Sequence, residues 1–125
     1  MISGQWRLSG LWPPFAEAVR ILLSWCDYYS LTVNVYSGAR SNDEQAALYA
    51  KGRTPAEVAQ RVSKHGKGGA VTDAPPGTSP HNYGLAVDIQ SPQLDKVMAI
   101  ARQMGFGFVS WDPDHLEWPN WRSLL

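Results

Sequence analysis

Ser79-Pro80-His81-Asn82-Tyr83-Gly84-Leu85-Ala86-Val87-Asp88-Ile89 is the stretch on which the reading of this chain turns. From Tyr83 onward the residues alternate, with Leu85, Val87 and Ile89 on one side and Ala86 and Asp88 on the other, the period of a β-strand with one face on a core. The strand therefore carries one carboxylate, Asp88, on its non-core face. Gly84 lets the backbone turn tightly between His81 and the strand, and the small Ala86 leaves space beside Asp88.

Upstream, Ser63 to Pro80 is rich in Gly, Lys, Pro and small polar residues and reads as a long loop, a length that in a compact domain usually carries function or moves. Before it stand two helix-start signals, Ser41 with Glu44 and Thr54-Pro55 with Glu57. Gly52 stops the first helix, and the second ends near Val62. Further back, Leu31, Val33 and Val35 alternate with Thr32, Asn34 and Tyr36 as a strand closed by Ser37-Gly38. Phe15, Val19, Leu22, Cys26 and Tyr29 recur at helical spacing after two prolines, which predicts an amphipathic helix over Pro13–Ser30 with Cys26 on its buried side.

Downstream, Ser91-Pro92 opens a helix whose apolar set is Leu94, Val97, Met98, Ala101 and Met104, closed by Gly105. Phe106 to Trp111 is a last strand candidate, and Asp112-Pro113-Asp114 reads as the turn after it. The elements add up to a small α+β domain: a mainly antiparallel sheet, helices packed on one face, and the polar site on the other.

A chain of 125 residues has room for one domain, 1–125, and its 44% hydrophobic content with six tryptophans supplies a core. Eleven basic residues balance eleven acidic ones, so no overall field draws it to nucleic acid or an anionic membrane. Apolar runs such as Ile21–Trp25 fall far short of a membrane span, and Met1–Gly10 has no secretion-signal pattern. The expectation is a monomer with neither anchor nor leader. A lone cysteine, Cys26, forms no internal disulfide, so a metal site would draw on His and carboxylates.

His81, Asp88 and His115 supply two imidazoles and a carboxylate, a set that suits one zinc ion and leaves a fourth tetrahedral position for water. Calcium and magnesium favour oxygen cages. Zinc-held water becomes acidic enough to yield hydroxide near neutral pH once a base takes its proton. Asp112, three residues before His115, is placed for that role, with Asp114 and Glu117 as competitors that could instead be solvated or orient a ligand. Arg40, permanently charged, is a candidate to hold a substrate carboxylate or an oxyanion, against the plainer reading of a surface pair with Asp43 or Glu44. Ser79 either hydrogen-bonds substrate or shapes the turn before His81. His65 has no such company and is assigned no role. Trp111, Trp118 and Trp121 read as packing for the C-terminal edge of the core.

The run from Ser79 to Asp88 resembles the SxHxxGxAxD signature of the zinc D-Ala-D-Ala carboxypeptidase and L-alanyl-D-glutamate peptidase family, which includes vancomycin-resistance peptidases and many bacteriophage endolysins. Asp112-Pro113-Asp114-His115 is similar to that family's acidic-x-x-His motif, and Ser37-Gly38-Ala39-Arg40-Ser41 with Glu44-Gln45, Leu48-Tyr49 and Gly52-Arg53-Thr54 to its upstream block. The resemblance, spanning about Val33 to Trp118, implies His81, Asp88 and His115 as zinc ligands, Asp112 as general base and Arg40 as a substrate contact. It implies a hydrolase acting on the stem peptide of bacterial peptidoglycan. Aspartate rather than glutamate at the base position is the pattern of the endopeptidase branch, pointing to L-Ala–D-Glu cleavage by a phage-type endolysin without a separate wall-binding domain. Such an enzyme is made in the host cytoplasm and acts on the wall after release. The rivals are a D-Ala-D-Ala carboxypeptidase and, from another class, a virion domain that uses zinc only for stability. The stretch between Asp88 and His115 is shorter than in many phage relatives, which bears on the groove wall.

Overall fold

The computed structural model describes residues 1–125. Helix α1 (Pro13–Tyr28) begins on two prolines whose fixed φ suits a first turn, and its buried stripe is Phe15, Ala16, Val19, Leu22, Leu23 and Cys26. Helices α2 (Asn42–Ala50) and α3 (Pro55–Ala59) each start on a reciprocal capping box, Ser41 with Glu44 and Thr54 with Glu57. Gly52, at φ 73°, follows the end of α2, and Gly105, at φ 91°, caps α4 (Leu94–Met104). These are the starts and stops read from the sequence.

Five strands form one sheet in the order β1-β2-β3-β5-β4: β1 (Ile2–Ser3), β2 (Val33–Ser37), β3 (Ala86–Gln90), β4 (Gly107–Val109) and β5 (Asp112–Glu117). Only the β1–β2 pair is parallel. Helices α1 and α4 supply Phe15, Val19, Leu22, Val97 and Ala101 to a core shared with Val33, Val35, Val87, Ile89 and Leu116 of the sheet. The fold is thus the expected α+β arrangement. Fully burying a side chain of this size stabilises by about 1.5–3 kcal/mol, so the alternating residues of β2 and β3 secure the strand register.

Register is what positions the site. Asp88 of β3 lies opposite Ser37 of β2 on one side and His115 of β5 on the other, so three polar side chains stand in a row on the face away from Val87 and Ile89. That face is covered as well, since Ala86 and Asp88 are both buried. The loop after α3 is tied to α2 by Gln45, which donates to the Ala74 carbonyl at 2.8 Å. Arg53, with no exposed side-chain surface, donates to the carbonyls of Tyr49, Val62 and Thr72, pairs with Asp73 at 2.6 Å and stacks over Tyr49. The long loop is therefore fastened by a buried guanidinium.

Two expectations are corrected at the C-terminal end. The turn read at Asp112-Pro113-Asp114 falls instead at Ser110-Trp111, and Asp112–Glu117 is an inner strand between β3 and β4. Its proline is tolerated because the ladder partners are Asp112 and residues 115–117, leaving Pro113 unpaired at a shift in register. The strand read over Phe106–Trp111 is shorter, Gly107–Val109. Of the three tryptophans, Trp118 packs on Trp12 and Phe15 and Trp121 is buried against Tyr83, while Trp111 is exposed.

Candidate metal centre

His81 stands on a short 3-10 turn, Pro80–Tyr83, between the long loop and β3. Ser79 caps this turn, its hydroxyl accepting from the His81 amide at 3.2 Å, and is itself buried. The structure thus gives Ser79 the turn-shaping role. Gly84 ends the turn at φ 69°, and a Cβ there would stand 2.7 Å from the Trp12 nitrogen, so no other residue fits without backbone movement. The turn is laced to the β2–α2 connection: the Arg40 amide donates to the His81 carbonyl at 2.9 Å, and Asn82 donates to the Arg40 carbonyl at 3.2 Å.

Each imidazole is oriented from behind. His81 Nδ1 lies 2.8 Å from the Gly38 carbonyl oxygen, to which it donates, and this turns Nε2 inward to the site. His115 is held the other way round: its Nε2 lies 2.8 Å from Glu117 Oε1, two residues on along the same strand face, so Nδ1 points to the site. Glu117, one of the three acids weighed as a base, is engaged as the orienting carboxylate. Asp114 is held by the Tyr36 hydroxyl, which donates to it at 3.3 Å.

Between the imidazoles sits Asp88, with Oδ2 3.3 Å from His81 Nε2 and Oδ1 3.2 Å from His115 Nδ1. One atom from each of the three residues lies within 4.8 Å of the others. Four ligands at the 2.0–2.1 Å of zinc–nitrogen and zinc–oxygen bonds form a tetrahedron with edges of about 3.3 Å, and each Asp88 oxygen stands at about that separation from one imidazole nitrogen. The donor set, two neutral imidazoles and one carboxylate with their outer nitrogens already bonded, fits a zinc-type ion. Burial opposes ionisation of Asp88, but hydrogen bonds from His115 and His81 and their charge outweigh it and hold the carboxyl well below its usual range. Burial also works against charging His115, yet the bonds to Asp88 and Glu117 push it up to about 9, so in the metal-free chain it carries a proton at neutral pH.

Arg40 also reaches this cluster, by a route the sequence does not reveal. Its Nη2 donates to Asp88 Oδ2 and to Ser37 Oγ, both at 2.9 Å, Nε donates to Ser37 Oγ at 3.2 Å, and Nη1 to Gln45 Oε1 at 3.2 Å. Its salt bridge is with Asp88, not with Asp43 or Glu44. Of five N–H groups one, on Nη1, is left over. Gln45, fully buried, is the residue that local pattern had no means of flagging; it links Arg40 to the loop.

Asp112 approaches from the outer side, its Oδ2 4.0 Å from His115 Nδ1 and its side chain about half exposed. Burial first, then the neighbouring Asp88 charge, raises its pKa above the ordinary value. The structure therefore brings His81, Asp88, His115, Arg40 and Asp112 together and leaves His65 outside, 72% exposed beside Asp73.

A half-open His-Asp-His cluster with a carboxylate on the open side, mounted on an α+β sheet, is the arrangement of a metal-dependent hydrolase. Residues 9–114 match the family model VanY: D-alanyl-D-alanine carboxypeptidase, and the chain belongs to that family. Its fold is similar to three solved structures. One is a Glu-to-Ala variant of the vancomycin-resistance D,D-pentapeptidase VanY from a VanB-type cassette, in complex with Zn(II), at 21% identity and TM-score 0.57, covering 86% of this chain and 72% of that one. A second is VanYB in complex with D-alanine-D-alanine, at 20% identity and TM-score 0.60, with coverage of 88% and 72%. The third is the LD-carboxypeptidase LdcB, at 23% identity and TM-score 0.62, with coverage of 86% and 58%.

Proposed function

We propose that this chain is a zinc-dependent peptidase of the bacterial peptidoglycan stem peptide, cutting most readily between L-Ala and D-Glu in the manner of a phage-type endolysin. The observation that carries the proposal is the convergence of His81, Asp88 and His115 on one point with Asp112 at its open side. Membership of a peptidase family supports the reaction class. The aspartate at the base position supports the endopeptidase branch.

Zinc, when bound, supplies a Lewis acid that polarises the scissile carbonyl and makes water acidic. His81, Asp88 and His115 hold it, with Gly38 and Glu117 fixing the two imidazoles. Asp112 takes the proton from the attacking water and hands it to the departing amine, a role helped by its raised pKa. Arg40 holds Asp88 in place and has one Nη1–H left to offer a substrate oxygen. A zinc site serving stability alone would use all four corners and have no need of Asp112.

On this reading the enzyme works as a monomer on the wall, after synthesis in the host cytoplasm. Nothing in its charge balance favours nucleic acid, and no helix is long and apolar enough to cross a membrane. The second reading, a D-Ala-D-Ala carboxypeptidase, is favoured by the description of the matching family. Mass spectrometry of digested muropeptides separates the two. Release of stem peptides cut after L-Ala supports the first, and loss of a single terminal D-Ala without such release overturns it.

A further inference from the structure

A groove of about 590 Å³ runs beside the metal cluster, between the 3-10 turn Gln5–Leu8 and helix α2. It shares Tyr36, Ser37 and Arg40 with the site, and Arg40 Nη2 is 2.9 Å from Asp88 within the cluster. Ser37, Gly38 and Arg40 thus form the wall shared by the cluster and the groove. Its volume is that of a pocket for a few residues of peptide.

The far wall is made by Trp6, Arg7 and Lys51. Arg7 lies with its guanidinium 4.1 Å from the Trp6 ring and donates to the Val35 carbonyl at 3.1 Å, which fixes it in place. Neither Arg7 nor Lys51 takes part in a salt bridge, whereas Arg40, Arg53 and Lys64 each do. The one acidic lining residue, Glu44, is occupied, its carboxylate accepting from the Ser41 amide at 3.0 Å. Arg7 and Lys51 thus have no salt-bridge partner, and Glu44, the one carboxylate on the groove, is tied to the Ser41 backbone. Trp6 and Arg7 lie ahead of the stretch, residues 9–114, that matches the family model, whereas Lys51 lies within it.

We propose that this groove is a specificity subsite for a free carboxylate on the peptide flanking the scissile bond, gripped by Arg7 and Lys51 across Trp6. The proposal rests on the peptidase reading, which supplies the peptide. A carboxamide at the same place keeps the shape of the ligand and loses the charge, so the subsite distinguishes acid from amide forms of the stem-peptide glutamate. An exposed ion pair yields up to about 1 kcal/mol, or about fivefold in affinity, so two cations give about tenfold or more at low salt.

The test uses the zinc-loaded full chain with two synthetic stem peptides that differ only in a free acid or a carboxamide at glutamate, on wild type, Lys51→Gln and Arg7→Gln. Lys51 is exposed and makes no tertiary hydrogen bond, so its replacement leaves the fold intact even if that of Arg7, which holds Val35, does not. The expected result is a KM preference for the acid of about tenfold in wild type, falling about fivefold in Lys51→Gln and shrinking with added salt. Equal KM for both peptides in wild type, or an undiminished preference in Lys51→Gln, overturns the subsite. If wild type cuts neither peptide, the peptidase reading has failed, and calorimetric titration of the same peptides decides the groove separately. Tighter acid binding that Lys51→Gln weakens then supports it, and equal binding refutes it.

Discussion

Replacing Glu117 tests how the third imidazole is set. Glu117 Oε1 accepts from His115 Nε2 at 2.8 Å, and the Glu117 side chain keeps only 15% of its surface exposed, so this is a short, charge-assisted bond with little solvent to replace it. Such bonds contribute about 1.5–3 kcal/mol, and losing the outer partner of a ligating histidine typically lowers metal affinity about 10–100-fold, the same range on a free-energy scale. Glu117→Leu removes both acceptor and charge and leaves His115 free to rotate or to place its proton on Nδ1, toward the metal. Glu117→Gln keeps an acceptor and loses the charge. Zinc affinity measured by competition with a chelating dye should fall about 10–100-fold in the leucine variant and about tenfold or less in the glutamine variant. Melting curves of the metal-free proteins show whether the fold is intact. Wild-type affinity in a folded Glu117→Leu protein would refute the assignment of Glu117 as the group that orients His115.

Asp112→Asn should bind one zinc with near wild-type affinity while kcat drops about 10²–10⁴-fold, the usual range for losing a general base; metal analysis beside turnover checks it, and a simultaneous loss of zinc would make Asp112 a ligand. His115, pushed up to about 9 in the metal-free chain, contributes stability that is whole below its ordinary value near 6.5 and is lost as pH rises through about 9, by up to about 3 kcal/mol. Thermal melts of chelator-treated protein should therefore decline between pH 6.5 and 9, and a rise over that window would contradict the His115–Asp88–Glu117 geometry. Arg53→Met removes the donor to three carbonyls and the buried cation beside Asp73, which keeps only the Lys64 and His65 amides, and should destabilise by about 3–5 kcal/mol, with proteolysis concentrated between residues 62 and 74. Gly38→Ala would put a Cβ 2.4 Å from the Arg7 carbonyl oxygen, displacing the carbonyl that orients His81; zinc affinity should fall with stability, and unchanged affinity would show that the contact is not needed.

What could be read in advance divides along local and non-local lines. The capping boxes at Ser41 and Thr54, the glycine stops at Gly52 and Gly105, and the alternation through Val87 and Ile89 are all settled by neighbours in the chain, and they stand where expected. Strand β5 is not of this kind. Asp112-Pro113-Asp114 has the chemistry of a turn, and only pairing of residues 115–117 with β3 makes it a strand end. Burial of Asp88 is of the same kind, since the side chains set against it, Arg40, His81 and His115, come from separate parts of the chain. Among the site residues, His81, Asp88 and His115 were legible from residue type and motif spacing. Glu117, two residues from His115, was within reach of local reading as a ligand-orienting acid, whereas the Gly38 carbonyl behind His81 and the Gln45 contact to Arg40 depend on the fold; a backbone carbonyl leaves no trace in the side-chain pattern. Arg40 is a candidate on residue type and motif alone, and its engagement with Asp88 and Ser37 depends on the register of β2 against β3.

The decisive measurement is X-ray absorption at the zinc edge on the stoichiometrically loaded protein. Two imidazole nitrogens and one carboxylate oxygen at about 2.0–2.1 Å, plus one light-atom ligand exchangeable with solvent, are what the structure requires. A sulfur shell at about 2.3 Å, which only Cys26 or a methionine could supply, or four protein ligands with no exchangeable position, would contradict it.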